Sequence, residues 1–332
     1  MPPQHGGIGI TGLGKCLPKN RVASSKLAER LDVSAEWIVK SSGIESRYFA
    51  DPDESVSLLS CGAAKQALKR ARLSPRDIDG IIVCTFSGDY IFPAVACKIQ
   101  HMLKAGRASA FDLSAGSVGF QFGINVAHDR LTCDPELSHV LVIGTAVQSC
   151  YLDWSRPEVA ILFGDGSGAA VVSKVPQKYG ILARHFFSKG EAYDAVRLRS
   201  GGSSHPIRPD RADCKPQFIE MDGMRVGREY LKNQPIVVKQ VLKKANLLLS
   251  DVDRFIFHQA NLRLIQFLAD RMKIPMSKVF VNVDRVGNTS DASLPIALCE
   301  AHEQGLIKRG HIIVLAGMGP GCVLGATVLR WY

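Results

Sequence analysis

The sequence repeats itself once, and that repeat restricts the fold more than any other feature. With a constant shift of 174 residues, Lys65-Gln-Ala-Leu-Lys-Arg-Ala-Arg-Leu73 matches Lys239-Gln-Val-Leu-Lys-Lys-Ala-Asn-Leu247, and Asp77-Ile-Asp79 matches Asp251-Val-Asp253. Further on, His139-Val-Leu-Val-Ile-Gly resembles His311-Ile-Ile-Val-Leu-Ala, and Gly168-Ala-Ala-Val-Val resembles Gly325-Ala-Thr-Val-Leu. A helix-turn-strand unit that occurs twice, half a chain apart, describes a duplicated α/β domain. A solenoid would need more and shorter repeats. The two halves are expected at 1–175 and 176–332, and a chain of 332 residues with 46% hydrophobic residues can fill two core halves.

Composition excludes several function classes. Nine cysteines, an odd number with no Cys-x-x-Cys pair, read as reduced thiols in a cytoplasmic protein, and no metal site is indicated. The first residues lack a basic segment followed by an apolar one, and no apolar run approaches the ~20 residues of a membrane span, so a soluble protein with no membrane partner is expected. The net charge of +10 calls for a polyanionic partner or means only a well solvated basic surface. The lysines and arginines are spread out, with no arginine-rich arm, which argues against nucleic acid. Coenzyme A phosphates or an acidic carrier protein would suit the charge.

In chain order, residues 8–13 form an apolar strand that contains Gly7-x-Gly9-x-x-Gly12. Only six residues precede Gly7, too few for the strand a dinucleotide fingerprint needs, so these glycines are read as strand packing. Short helices are expected at 26–31 and at 35–41, the latter carrying Trp37. A longer amphipathic helix at 57–72 is followed by a strand at 80–85. Residues 110–114 then read as a buried strand and 118–127 as an apolar helix, with Ser117 at the junction between Gly116 and Gly119. A side chain at a helix N-terminus sits where backbone N–H groups and the helix dipole stabilise developing negative charge, as an activated nucleophile requires. Taken alone, an ordinary buried junction reads the same way.

Residues that break the repeat point to chemistry. His258, in His258-Gln-Ala-Asn-Leu-Arg263, falls opposite Cys84 at the end of the strand at 254–257. Gly287-Asn-Thr-Ser290 follows a strand expected at 278–283. Open α/β sheets bind ligands at the carboxyl ends of their strands, and Ser117, His258 and Asn288 all fall at such ends. Each alone reads as well as a hydrogen-bonded core residue; three together favour a site.

With these residues in view the chain resembles the β-ketoacyl-acyl-carrier-protein synthase III family of the thiolase-like superfamily. The likeness covers nearly the whole length. Trp37-Ile-Val, Gly43-Ile, Phe92-Pro, Ala110-Phe-Asp, Phe163-Gly-Asp-Gly-x-Gly-Ala169, the segment from His258 to Arg263 and Gly287-Asn-Thr-Ser290 occur in family order. The resemblance implies a five-layer αβαβα fold, a homodimer, and a catalytic Cys-His-Asn set at positions 117, 258 and 288. No permanently bound cofactor is implied. The cysteine takes an acyl group from the substrate acyl-CoA, and the acyl-enzyme condenses with a malonyl carrier protein as carbon dioxide leaves. Trp37, Lys40, Arg156 and Asn261 would meet coenzyme A, Phe92 would reach the partner subunit's acyl pocket, and Arg228 and Arg263 would dock the acidic acyl carrier protein.

Three departures qualify what is carried over. Ser117 stands at the cysteine position, and a hydroxyl needs a base where a thiol already gives some thiolate; His258 is the nearest candidate base, and a natural or an engineered serine would read alike. Pro320 falls where the family supplies a second oxyanion N–H, and proline has none. Ser41 replaces an arginine at the coenzyme mouth, beside Lys40. The expected function is therefore an acyl-transferring condensing enzyme of fatty-acid, polyketide or secondary-metabolite assembly. Transfer to an oxygen or nitrogen acceptor without decarboxylation, or a weakly catalytic subunit of a heterodimer, remain as alternatives.

Overall fold

The computed structural model describes residues 7–207 and 217–332. Two sheets organise it. The first is built from β1 (Gly7–Cys16), β2 (Gly80–Cys84), β3 (Ser109–Leu113), β4 (His139–Ala146) and β5 (Gly166–Val175), in the order β1-β5-β4-β2-β3. The second is built from β6 (Gly180–Ser188), β7 (Arg254–Phe257), β8 (Ile312–Gly319) and β9 (Val323–Arg330), in the order β6-β9-β8-β7. Strand for strand, the second order repeats the first without its edge strand β3.

Alternation along the strands creates five layers, because successive side chains point to opposite faces. Val140 and Val142 of β4, with Ile313 and Leu315 of β8, face a central layer. That layer holds two helices, Gly119–Cys133 and Ser293–Glu303, which supply Phe120, Ile124, Leu294 and Leu298. Leu141 and Ile143 face outward onto the helices Val56–Ala71 and Val95–Leu103. Val314 and Ala316 face outward onto Gly223–Lys244 and Leu262–Arg271. Helix, sheet, helices, sheet, helix is the thiolase-like αβαβα arrangement. No helix among the described residues is long and apolar enough to cross a membrane.

One hydrogen-bonded device occurs in both halves. The Asp79 amide donates to the His139 carbonyl at 2.9 Å, while its carboxylate accepts from the His139 amide at 3.0 Å. In the second half the Asp253 amide donates to the Ile312 carbonyl at 2.9 Å, and its carboxylate accepts from the Ile312 amide at 2.7 Å. These bonds pair His139 with Ile312, one residue beyond the His139/His311 match read from the sequence. The glycine triplet in β1 does pack: a Cβ on Gly12 would lie 2.3 Å from the Ala67 carbonyl oxygen, so only glycine lets the helix Val56–Ala71 approach.

The strand expected at 278–283 does not form. A single parallel bridge joins Phe255 to Val279, and a short helix, Val283–Val286, follows. The Gln259 side chain takes the place of a neighbouring strand, its Oε1 accepting from the amides of Asn282 and Val283 at 2.9 and 3.2 Å. An apolar run whose backbone donors are met by a side chain has no need of a ladder.

Candidate active site

Ser117 sits in a single 3-10 turn, Gly116–Val118, between β3 and the central helix Gly119–Cys133. The turn requires glycine at 116 twice over. Its φ is +54°, and a Cβ there would come 2.5 Å from Cδ of Pro320. The loop after β8 therefore packs directly on the turn, and a Cβ on Gly319 would lie 3.0 Å from the Ser117 amide nitrogen. Ser117 is buried, and its Oγ lies 3.3 Å from Oγ of Ser290.

His258 follows β7 directly, its amide bonded to the Ala316 carbonyl at 2.8 Å. Its Nδ1 lies 3.0 Å from Oγ of Ser293, which already accepts the Gln259 amide at 2.7 Å. We assign the Ser293 hydroxyl proton to Nδ1, which leaves Nε2–H as a donor. Burial lowers the His258 pKa to about 3, so the ring is neutral at physiological pH. Asn288 is fixed in a similar way. Its carbonyl accepts from the Gly164 amide and from Nε2 of Gln148, and its Oδ1 accepts from the Ser290 amide at 2.9 Å. That bond fixes the orientation of the carboxamide and leaves the Nδ2 donors for a ligand.

These three residues line one cavity of about 760 Å³, which runs from Trp37, Ser41 and Asn261 to Ser117, His258 and Asn288. Pro320 lines it beside Ser117. The other sequence-predicted residues lie elsewhere. Lys40 and Arg263 line an adjoining shallow groove. Arg263 caps the end of the Trp37 helix, Ala35–Ser42, donating from Nε to the Lys40 carbonyl and from Nη2 to the Val39 carbonyl, both at 3.1 Å. Asn261 is the N-cap of Leu262–Arg271 and also donates to the Ser41 carbonyl at 3.3 Å. Arg156 does not line the cavity; it pairs at 2.9 Å with Glu158, which does. Arg228 is exposed on the helix Gly223–Lys244, and Phe92 is exposed in a loop away from the cavity lining.

Ser290 belongs to the Gly287-Asn-Thr-Ser290 cluster picked out in the sequence, whereas Gln148 and Ser293, which hold Asn288 and His258, escaped it because a positioning serine or glutamine has no spacing signature. Arg197 was also missed. It lines the cavity from the short strand Val196–Leu198, where its guanidinium pairs with Glu220 at 2.8 Å.

The neutral His258 has a consequence for stability. Its folded pKa of about 3 lies below the ordinary 6.5 of the unfolded chain, so as pH falls the unfolded chain takes up this proton first. The resulting stability is fully present above pH 6.5 and is lost toward pH 3, at about 1.4 kcal/mol per pH unit. Chemical denaturation between pH 7 and 4 should show His258→Gln losing stability less steeply than wild type, by one proton. Equal slopes would place the proton elsewhere.

Comparison with known proteins gives a consistent picture. The model for 3-oxoacyl-[acyl-carrier-protein] synthase III matches residues 111–190, and that for the C-terminal part of the same family matches 242–331. The β-ketoacyl-[acyl-carrier-protein] synthase III of Syntrophomonas wolfei is 38% identical over 98% of this chain and 97% of its own. Among solved structures, 3-oxoacyl-[acyl-carrier-protein] synthase III from Aquifex aeolicus superposes with a TM-score of 0.90 at 37% identity, covering 98% of this chain and all of that one. The priming β-ketosynthase of the R1128 polyketide pathway superposes at 0.92 with 30% identity, covering 99% and 97%.

Proposed function

The chain belongs to the β-ketoacyl-[acyl-carrier-protein] synthase III family of condensing acyltransferases, and from that premise we propose that it accepts an acyl group from acyl-CoA on Ser117 and condenses it with a malonyl group held on an acyl carrier protein. One observation carries the reading: a buried hydroxyl at a helix start shares a cavity with two side chains that are set to donate, a neutral imidazole and a carboxamide.

In the first half-reaction, Ser117 Oγ loses its proton and bonds to the thioester carbonyl carbon. The C–S bond breaks, and coenzyme A leaves as a thiol once protonated. In the second, the malonyl C–C bond breaks to release carbon dioxide, and the charge moves onto the thioester oxygen as an enolate. His258 Nε2–H and Asn288 Nδ2–H would hold that oxygen. The enolate carbon then attacks the ester, and Ser117 departs with a proton restored.

Trp37 and Asn261 suit the pantetheine entrance, with Lys40 and Arg156 toward the rim for phosphate. Arg228 and Arg263, on a chain of net charge +10, suit an acidic carrier protein. Arg228 is the more available of the two, since Arg263 already holds two carbonyls. Tyr90, Ile91 and Phe92 are 71%, 88% and 85% exposed, an apolar tip that fits a homodimer with Phe92 crossing to the partner. We read 1–175 and 176–332 as the two thiolase-like halves, and place the protein in the cytoplasm. Pro320 favours a slow acylation, as in a specialised pathway, over rapid turnover.

The deciding measurement is intact-protein mass after incubation with a panel of acyl thioesters. A stable acyl ester should appear slowly and map to Ser117. Acyl transfer to an oxygen or nitrogen acceptor without loss of carbon dioxide would instead favour the non-decarboxylating reading.

A further inference from the structure

Serine needs a base, and His258 is a poor one, because burial disfavours the imidazolium it would become and its Nδ1 is committed to Ser293. A better-placed group lies on the other side of Ser117. Asp291 is wholly buried, and neither carboxyl oxygen has a hydrogen-bond partner among the described residues. Such a group is costly to leave unpaired and calls for an explanation. Its Oδ1 lies over the first residue of the central helix, 2.3 Å from where a Cβ on Gly119 would be, and its backbone oxygen packs against Gly144 of β4. Ser290, the residue before it, has its Oγ 3.3 Å from that of Ser117. The Ser290 hydroxyl is also the one side chain near enough to favour the ionised form of Asp291.

We propose that Asp291 is the base that activates Ser117, receiving its proton through the Ser290 hydroxyl. The inference rests on Ser117 being the acylated residue. The transfer balances. Ser290 accepts the Ser117 proton and passes its own to the Asp291 carboxylate as the Ser117 Oγ bonds to the acyl carbon. When the C–S bond breaks, the thiolate of coenzyme A takes up the proton that Asp291 received, returned through Ser290, which restores the carboxylate. Ser290 Oγ is 3.3 Å from the Ser117 hydroxyl and its residue adjoins Asp291 in the chain, so the relay closes when the Ser290 hydroxyl turns toward the unpartnered carboxylate.

Burial pushes the Asp291 carboxyl well above its ordinary value, which makes its ionised form a strong base. Two titratable groups lie close to this turn. The Cys84 thiol of β2 is itself pushed up by burial, and His258 is neutral on Ser293. On the other elements packed here, the charged or titratable residues, such as His139 on β4, Lys174 on β5, His128 on the central helix and Glu300 on Ser293–Glu303, stand at the far ends. Ester formation on Ser117 should therefore rise with pH as Asp291 ionises.

The test is the rate of Ser117 acylation, followed by intact mass from pH 6 to 9, in wild type, Asp291→Asn, Ser290→Ala, Ser117→Cys and the double variant Ser117→Cys/Asp291→Asn. Asp291→Asn should slow ester formation by ~10² to 10⁴ and remove the rising limb, with Ser290→Ala in the same direction. In the Ser117→Cys background the same Asp291→Asn change should slow thioester formation by less than ~10-fold, because a thiol supplies its own thiolate. Equal losses in both backgrounds would mark Asp291 as merely structural and overturn the proposal. An ester that forms on Ser117 at the wild-type rate and pH profile in Asp291→Asn would also overturn it while leaving the acyl-transfer function intact. No ester or thioester in any variant would overturn both.

Discussion

Replacing His258 or Asn288 by alanine should slow malonyl decarboxylation by ~10² to 10³, whereas Ser117→Ala should keep it. The asymmetry follows from what each half-reaction asks of the site. Loss of carbon dioxide leaves charge on one oxygen, and the stabilisers of that charge must be donors fixed before it forms. Both side chains are fixed in that way: Ser293 holds Nδ1 of His258, and the Ser290 amide holds Oδ1 of Asn288. Neither role needs Ser117. Release of carbon dioxide from a malonyl thioester in the absence of acyl donor measures the step directly. Equal loss in all three variants would mean that decarboxylation requires the acyl-enzyme, and undiminished release in His258→Ala would remove the ring from the mechanism. Because His258 stays neutral down to about pH 3, this step should also be flat across the neutral range.

Much of the fold could be read from the repeat because duplication fixes both the elements and their order. The strand Arg254–Phe257 falls where it was expected, and the device built on Asp79 recurs at Asp253. What escaped was decided by side chains meeting backbone across the fold. Gln259 satisfies donors that a strand at 278–283 would have placed in a ladder, and the bond between Asp253 and Ile312 moves one match by a residue. Ser117 and His258 stood out because they follow strands, His258 also breaking the repeat. Asn288 was placed at the end of a strand that does not form, and only its polar cluster Gly287-Asn-Thr-Ser290 was a sound signal. Arg197 did not stand out, since a single arginine in a three-residue strand carries no motif or spacing. Asp291 directly follows the Gly287-Asn-Thr-Ser290 motif, where an acidic residue at a helix start reads as an ordinary cap; only its burial without a partner gives it away.

Pro320→Ala should raise the rate of Ser117 acylation by ~10² to 10³, the usual worth of one oxyanion donor. In proline the ring Cδ occupies the direction an amide hydrogen would take. Here Cδ comes within 2.5 Å of a Cβ position on Gly116, and the ring nitrogen within 3.2 Å of it, so the bond from nitrogen to Cδ is aimed at the turn that carries Ser117. An N–H at position 320 would point the same way, toward Gly116 and the turn that carries Ser117. If it adds a donor to the acyl oxygen, the gain would fall on acylation and on the final attack on the ester, both of which build charge on that oxygen. Removing the ring should also lower stability by ~0.4 to 1 kcal/mol, as the unfolded chain gains freedom. Acylation rates by intact mass and denaturation midpoints, taken on the same variant, separate the two effects. A destabilised protein that acylates no faster would mean that residue 320 does not face the oxyanion, and that the slowness of this site lies in deprotonating Ser117 alone.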